Sequence, residues 1–229
     1  MAMELFWGSG SGPAWRVLLA LEVKGVSYQS RLLSFAKGEH RSPEVVALNT
    51  RGKVPALRDG AYTIYESLAM ITYIDRKHPE PPLFGTTPED AGTIMRLIME
   101  HECYGAEAIS KFAAPLLLSE IAEKSQAVLV ALPALREELG RLEAALGSRS
   151  WLVGEAISAA DVFVYPAIKT LERALAKPDA ETLDHGLRSL AVSFPKLADW
   201  MTRVEALPGY AATYPPHWRV RPSVGDGAG

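Results

Sequence analysis

Apolar and polar positions alternate along this chain in two different rhythms. Glu4-Leu5-Phe6-Trp7 is a short apolar run that ends at Gly8-Ser9-Gly10-Ser11-Gly12-Pro13, which predicts a buried strand followed by a turn. From residue 13 to 24 the apolar positions, Trp15, Leu18, Leu19 and Val23 among them, recur at helical spacing. Pro13 suits a first helical turn and Gly25 suits the stop. Residues 26–32 alternate as a strand does, so the opening reads β-α-β, and that favours a parallel pair joined by a crossover helix. Residues 35–50 are polar and irregular, with one short helix predicted over 42–48 and Pro43 in its first turn. Two apolar runs, 54–58 and 61–65, flank Asp59-Gly60, a hairpin signal. A helix over 67–77 with Leu68, Ile71 and Ile74 inside follows. The order βαβαββα predicts an α/β thioredoxin-like domain over residues 1–80.

Pro79-Glu80-Pro81-Pro82 breaks that rhythm, and residues 81–88 read as a linker. Residues 89–229 read as an all-α C-terminal helical domain. Long periodic segments are expected over 90–112, 127–146, 158–175 and 195–206, the second with Leu129, Leu132, Leu135, Leu139, Leu142 and Leu146 on one stripe. Ser158 with Asp161 forms a capping-box variant, which points to folding rather than chemistry. The tail 215–229 shows no periodicity, and its last residues, 223–229, are expected to be disordered.

A chain of 229 residues accommodates two small domains, and a net charge of −3 argues against a nucleic-acid partner. Cys103 is the single cysteine, which rules out an internal disulfide and suits a reducing, cytoplasmic setting. The first residues lack the basic and apolar regions of a signal peptide, and no apolar run approaches the ~20 residues of a membrane span, so no membrane partner is expected. The five histidines show no metal-ligand spacing, so no metal is expected. Gly8-Ser9-Gly10-Ser11-Gly12 lacks the Lys-Ser/Thr of a phosphate-cradling loop and the spacing of a dinucleotide fingerprint.

The candidate chemistry lies elsewhere. Lys53-Val54-Pro55 places an apolar residue before a proline, which biases it to an extended backbone able to dock a peptide. Glu66-Ser67 opens a helix, where the N-terminus and a hydroxyl attract a carboxylate and Glu66 can face an ammonium. Together they form a cradle for a small acidic peptide, and glutathione is the obvious candidate. The plain alternatives are an edge-strand proline and an N-cap serine. Ser11, between two glycines and before a helix, can donate a hydrogen bond to a thiolate, with Ser9 as its competitor.

These pieces, in their joint order and spacing, resemble the cytosolic glutathione transferase superfamily over roughly residues 3 to 215. They are Ser11 six residues before Val17, Asn49 through Leu57, Glu66 through Ile71, the helical second half, and Trp151-Leu152-Val153-Gly154 leading to Ser158-Ala159-Ala160-Asp161. The resemblance implies a cis Val54–Pro55 bond and a serine-type (theta, phi or zeta) enzyme with Ser11 as the catalytic donor. It also implies a glutathione site of His40, Lys53, Val54, Pro55, Glu66 and Ser67, a small hydrophobic electrophile as second substrate, and a homodimer. Lys37 lies in the same polar stretch as His40, while Met95, Met99, Tyr104 and Phe112 are candidates to wall an electrophile pocket. No cysteine precedes Cys103, which disfavours chemistry through a mixed disulfide. Trp15-Arg16-Val17 is similar to the zeta-class isomerases, although Gly12-Pro13-Ala14 departs from their loop. The remaining alternative is a non-catalytic binding protein of the same fold.

Overall fold

The computed structural model describes residues 3–219 except 184, 185 and 188. It divides into two compact units. One is built from the chain up to Arg76 together with the stretch from Pro208, and the other is Lys77–Leu207. The expected linker thus falls a few residues after the first break, while the stretch from Pro208 groups with the N-terminal unit rather than with the helical one.

The first unit runs β1 (Met3–Gly8), α1 (Gly12–Val23), β2 (Tyr28–Leu33), a 3-10 turn (Glu39–Arg41), α2 (Pro43–Leu48), β3 (Ala56–Asp59), β4 (Tyr62–Tyr65) and α3 (Ser67–Lys77). The strands form one mixed sheet in the order β2-β1-β3-β4, in which β1 and β2 are parallel and the other pairs antiparallel. This is the βαβαββα arrangement expected. α1 buries every residue from Ala14 to Leu21, which exceeds the one-sided helix its spacing suggested. β3 starts at Ala56 and leaves Val54 and Pro55 outside the expected strand, because a proline has no N–H to give to a ladder.

Glu4 ties the sheet together. Its carboxylate accepts hydrogen bonds from Arg31 Nη2 on β2 at 2.8 Å and from Arg58 Nε on β3 at 2.6 Å, and Arg58 lies over the Phe6 ring. These bonds, Arg58's first, lower the Glu4 carboxyl from 4.5 to about 2. A depressed folded value means the stabilisation is present above the ordinary value and fades as the pH falls toward the folded one. Glu4→Gln is expected to lower the melting temperature at pH 7, with the gap to wild type closing between pH 4.5 and about 2. Thermal melts across that range check it, and a constant gap would refute the assignment.

The second unit holds α4 (Pro88–Glu100), a π-helical turn (His101–Gly105), α5 (Ala106–Leu117), α6 (Ile121–Leu146), α7 (Ala159–Leu175), the short α8 (Pro178–Glu181) and α9 (Leu190–Ser193), and α10 (Pro195–Glu205). α5 packs against α6 and α7, and α10 against both of these. The segment expected over 90–112 therefore runs on to Leu117 and changes register at His101–Gly105. Gly105 allows that turn, since a Cβ there would lie 2.9 Å from His101 Nδ1. On α6 the buried stripe is Val128, Ala131, Leu135, Leu139, Leu142 and Leu146. Its first two members lie one position before the expected Leu129 and Leu132, as a helical step back from Leu135 through i−4 and i−7 requires.

Asp161 is the polar centre of this unit and is fully buried. Its Oδ1 accepts from Leu152 N–H at 2.9 Å and Trp200 Nε1–H at 2.8 Å, and its Oδ2 from Ser158 N–H at 2.8 Å and Ser158 Oγ–H at 2.7 Å. One carboxylate thereby caps α7, fixes the loop before it and ties α10 to both.

The chain closes with α11 (Tyr210–Thr213) and α12 (Pro216–Arg219), so the expected structureless tail carries a turn of helix before residues 220–229, which lie outside the described residues along with the expected disorder of 223–229. These turns belong to the first unit. Trp15 Nε1 donates to Thr213 Oγ1 at 2.9 Å, and the Trp15 ring meets Tyr214 and Trp218 edge-on at 5.7 and 5.4 Å. Gly209 has φ 79° and no side chain because Glu22 would stand 2.3 Å from a Cβ.

Candidate functional site

The register of the sheet gathers the predicted residues at one end. Phe6 pairs with Ala56, and Ala56 pairs with Tyr65. Continuing the ladder beyond those pairs brings the loop after β1, the Val54-Pro55 step before β3 and the Glu66-Ser67 step after β4 to the same edge. β2 also ends there, because it runs parallel to β1. Residues more than fifty positions apart in sequence are thus placed at one end of the sheet by strand pairing.

The loop after β1 is closed by Ser11 N–H to Gly8 C=O at 3.1 Å and passes through Gly10 at φ 85°. Ser11 is the N-cap of α1, and its Oγ accepts from Ala14 N–H at 3.3 Å. A hydroxyl carries one proton and two acceptor positions. The capping bond uses an acceptor position, so the Ser11 proton stays available for donation, and the helix N-terminus adds positive potential beside it. Ser9, its competitor, is engaged differently. Its Oγ lies 2.6 Å from Nδ1 of His217 on α12.

The opposite wall is a turn held by Asn49, which is 3% exposed. Asn49 Nδ2 donates to Lys53 C=O at 2.8 Å, its Oδ1 accepts from Arg51 N–H at 3.0 Å, and its C=O accepts from Gly52 N–H at 2.9 Å. This holds Lys53 exposed and leads into a cis Val54–Pro55 bond. Among the described residues the Val54 N–H and C=O pair with no other backbone group, so both remain open to an added extended segment.

Glu66, rather than Ser67, caps α3. Its C=O accepts from Met70 N–H at 2.9 Å, and Ser67 is the first helical residue. Glu66 holds φ at 70°, a left-handed conformation that costs a non-glycine residue of order 1–2 kcal/mol. The Ser67 hydroxyl has no hydrogen-bond partner among the described residues, although the residue is 7% exposed. A strained acidic residue and an unengaged hydroxyl at a helix start form a polar pair that local folding does not require.

His40 stands on the 3-10 turn with its ring 5.2 Å from Phe35, edge to face, and its buried Nδ1 lacks a hydrogen-bond partner. Phe35 also lies against Gly8, where its ring would be 2.3 Å from any Cβ. Arg41 packs its Cγ on Gly52, 3.7 Å from a Cβ position. The 34–41 segment therefore bridges the Ser11 loop and the Asn49 turn, while Lys37 is exposed on its rim. Sequence reasoning missed Phe35, Arg41 and the Ser9–His217 pair. The four-residue spacing of Tyr210, Tyr214 and Trp218 is a helical signal for the tail, interrupted by Pro215 and Pro216.

The aromatic and methionine candidates of the helical unit do not form one wall. Phe112 is fully buried core, and Met95 and Met99 are exposed at 37% and 44%. Tyr104, with Cys103, Ala108, Val130 and Ala131, lines an open groove of about 810 Å³. Among the described residues no group of three His, Cys, Asp or Glu side chains is placed to hold a metal, and no helix is long and apolar enough to cross a membrane.

A thioredoxin-like sheet unit is followed by a helical unit, and the sheet unit presents an unpaired backbone step and a helix start able to attract an anion. The family pattern for the glutathione S-transferase N-terminal domain matches residues 11–77, and that for the C-terminal domain matches residues 95–208. A glutathione S-transferase A of Pleuronectes platessa is 32% identical over 98% of this chain and 96% of its own length. A maleylacetoacetate isomerase of Pseudomonas aeruginosa is 28% identical over 84% of this chain and 92% of its own. A solved glutathione S-transferase from the Antarctic clam Laternula elliptica superposes with a TM-score of 0.79, at 27% identity over 95% and 94% of the two chains. The chain belongs to the cytosolic glutathione S-transferase superfamily.

Proposed function

We propose that this protein binds reduced glutathione at the loop end of its sheet and transfers the thiolate to a small apolar electrophile. The observation that carries this reading is the convergence, by strand register, of Ser11, Val54, Pro55, Glu66 and Ser67 on one edge. Val54 offers its N–H and C=O to the cysteinyl backbone as a neighbouring strand would. Ser67 and the α3 N-terminus take the γ-glutamyl carboxylate, and Glu66 faces the ammonium. His40 and Lys53 supply donors for the glycyl carboxylate. Ser11 donates to the sulfur. A charge-assisted hydrogen bond contributes about 1.5–3 kcal/mol, enough to lower a thiol by one or two pKa units. Holding sulfur and electrophile together contributes the rest of the rate. We place the protein in the cytoplasm as a homodimer, in keeping with its family. Retention on immobilised glutathione, with elution by free glutathione, tests the binding; flow-through would favour the non-catalytic alternative.

Glu66→Gly separates ligand recognition from stability. Glycine relieves the left-handed backbone and removes the carboxylate, so the melting temperature is expected to hold or rise while glutathione binds about 10–100-fold more weakly. Calorimetric titration and a thermal melt on one sample check both halves. Unchanged affinity would remove Glu66 from the site.

The likeness to the maleylacetoacetate isomerase supports a second reading, in which the thiolate adds reversibly to a cis double bond and leaves after rotation. Turnover of maleylacetone without consumption of glutathione would select it.

A further inference from the structure

The reaction releases a proton from the thiol, and the Ser11 hydroxyl, as a donor, cannot accept it. We propose that Ser9 and His217 form the exit for that proton. The inference rests on the proposed glutathione chemistry and adds a component to it.

Ser9 Oγ and His217 Nδ1 are 2.6 Å apart across 208 residues of sequence. Ser9 and Ser11 share one turn, closed by Ser11 N–H to Gly8 C=O at 3.1 Å. Two virtual bonds of about 3.8 Å keep their Cα atoms within about 7.6 Å, so both hydroxyls belong to the loop proposed to meet the sulfur. The imidazole is seated rather than incidental. Gly10 has φ 85°, and a Cβ there would stand 2.8 Å from His217 Cε1 and 3.3 Å from Nε2, so the loop has space for the ring only because this position is glycine. The helical turn that carries His217 is anchored by edge-to-face contacts of Trp218 with Trp15 and Tyr214, and the turn before it by the Trp15–Thr213 hydrogen bond.

With the neutral ring protonated on Nε2, Ser9 donates its proton to Nδ1 and presents its oxygen lone pairs to the thiol. The S–H bond then breaks as its proton passes to Ser9 Oγ, and the Ser9 proton passes to Nδ1. The sulfur keeps both bonding electrons and is left as a thiolate beside the Ser11 hydroxyl and the α1 N-terminus. The imidazolium, exposed at the surface, returns the proton to water. No redox change occurs. His217 acts through Ser9 and is a positioning and proton-accepting residue rather than one that touches the substrate.

The pairing also sets a pH range. An imidazole accepts a proton only when neutral, so the exit closes as the pH falls. The titratable or charged groups on the elements packed around it are Arg219 on its own turn, Tyr210 and Tyr214 beside it, and Arg16 and Glu22 on α1, while the β1–α1 loop brings none. Arg219 is turned to the Ala211 carbonyl and the Tyr214 ring.

The test is the pH profile of kcat/KM with glutathione and 1-chloro-2,4-dinitrobenzene for the full chain and its variants. His217→Asn keeps a hydrogen-bonding partner for Ser9 but cannot take a proton. The inference expects His217→Asn and His217→Ala both to lose at least tenfold at pH 6.5, to move the acid limb upward by about one unit, and to recover with added imidazole in the alanine variant. Ser9→Ala should match them, with no further loss in the double variant. A His217→Asn enzyme with the wild-type profile would mean a structural role and overturn the inference, as would an unchanged His217→Ala profile. Ser11→Ala in the same assay keeps the two readings apart. If it lowers the plateau while the His217 variants do nothing, the thiolate site stands and the proton exit fails; the reverse pattern removes Ser11 and keeps His217.

Discussion

Ser11→Ala is expected to reduce kcat/KM for thiol conjugation by about 10–100-fold while leaving glutathione affinity within about threefold. The magnitude follows from a charge-assisted hydrogen bond of about 1.5–3 kcal/mol, at about 1.4 kcal/mol per tenfold. The selectivity follows from the site's division of labour. In the proposed site, Val54, Glu66 and Ser67 hold the backbone and the ends of the tripeptide, and Ser11 meets only the sulfur. The same change removes the N-cap acceptor of Ala14 N–H, which costs about 1 kcal/mol of stability and appears as a modest fall in melting temperature. Ser11→Thr keeps the capping oxygen and the donor, so it separates the two effects. A fall in activity for alanine with recovery in threonine supports the assignment. Full activity in the alanine variant would move the donor to another group.

Asp161→Ala is expected to be the most destabilising single change in the helical unit. It removes the acceptor for three N–H donors and one hydroxyl, all within a fully buried cluster. Each buried donor left without a partner costs about 1–3 kcal/mol, so the total is roughly 3–5 kcal/mol even after relaxation and rotation of the Ser158 hydroxyl. For a chain of this size that is about 6–20 °C in melting temperature. Burial pushes the Asp161 carboxyl up while the four donors pull it down. Asp161→Asn retains one carbonyl acceptor and should fall between wild type and alanine. A melt of the three proteins checks the order, and a shift under about 3 °C for alanine would show that the cluster is not the anchor described.

Much of this molecule is legible in its sequence because the signals are local. Alternation, Asp59-Gly60 and the Pro13 and Pro43 starts locate the four strands and α1 to α3 of the sheet unit to within a few residues. Ser158 and Asp161 announce the start of α7 because a capping box operates within one turn. What stayed hidden depends on the third dimension. The later start of β3 at Ala56 is an exception, since Pro55, with no N–H for a ladder, marks it locally. Glu66 looks like the residue before a cap, and only the hydrogen bond from Met70 N–H to its C=O identifies it as the cap itself. Ser9 and His217 carry no pattern at all, because Trp15 and Thr213 create their proximity from opposite ends of the chain.

The candidate site divides in the same way. The proposed peptide cradle of Lys53-Val54-Pro55 and Glu66-Ser67 rests on backbone geometry and helix electrostatics, which sequence motifs encode directly. The Ser11–Ser9 choice was open in the sequence. In the structure their partners differ: Ser9 is committed to an imidazole, while Ser11 accepts a backbone N–H and retains its proton.

The central claim is that this chain holds glutathione with its thiol ionised by Ser11. The direct measurement is a titration of the thiolate's ultraviolet absorbance for glutathione bound to the wild-type protein, to Ser11→Ala, and free in solution. The account predicts that the bound thiol in the wild type titrates one to two units below the free thiol, whose ordinary value is about 8.5, and returns most of the way in Ser11→Ala. A bound thiol that titrates with the free one, or an unchanged low value in Ser11→Ala, would contradict it.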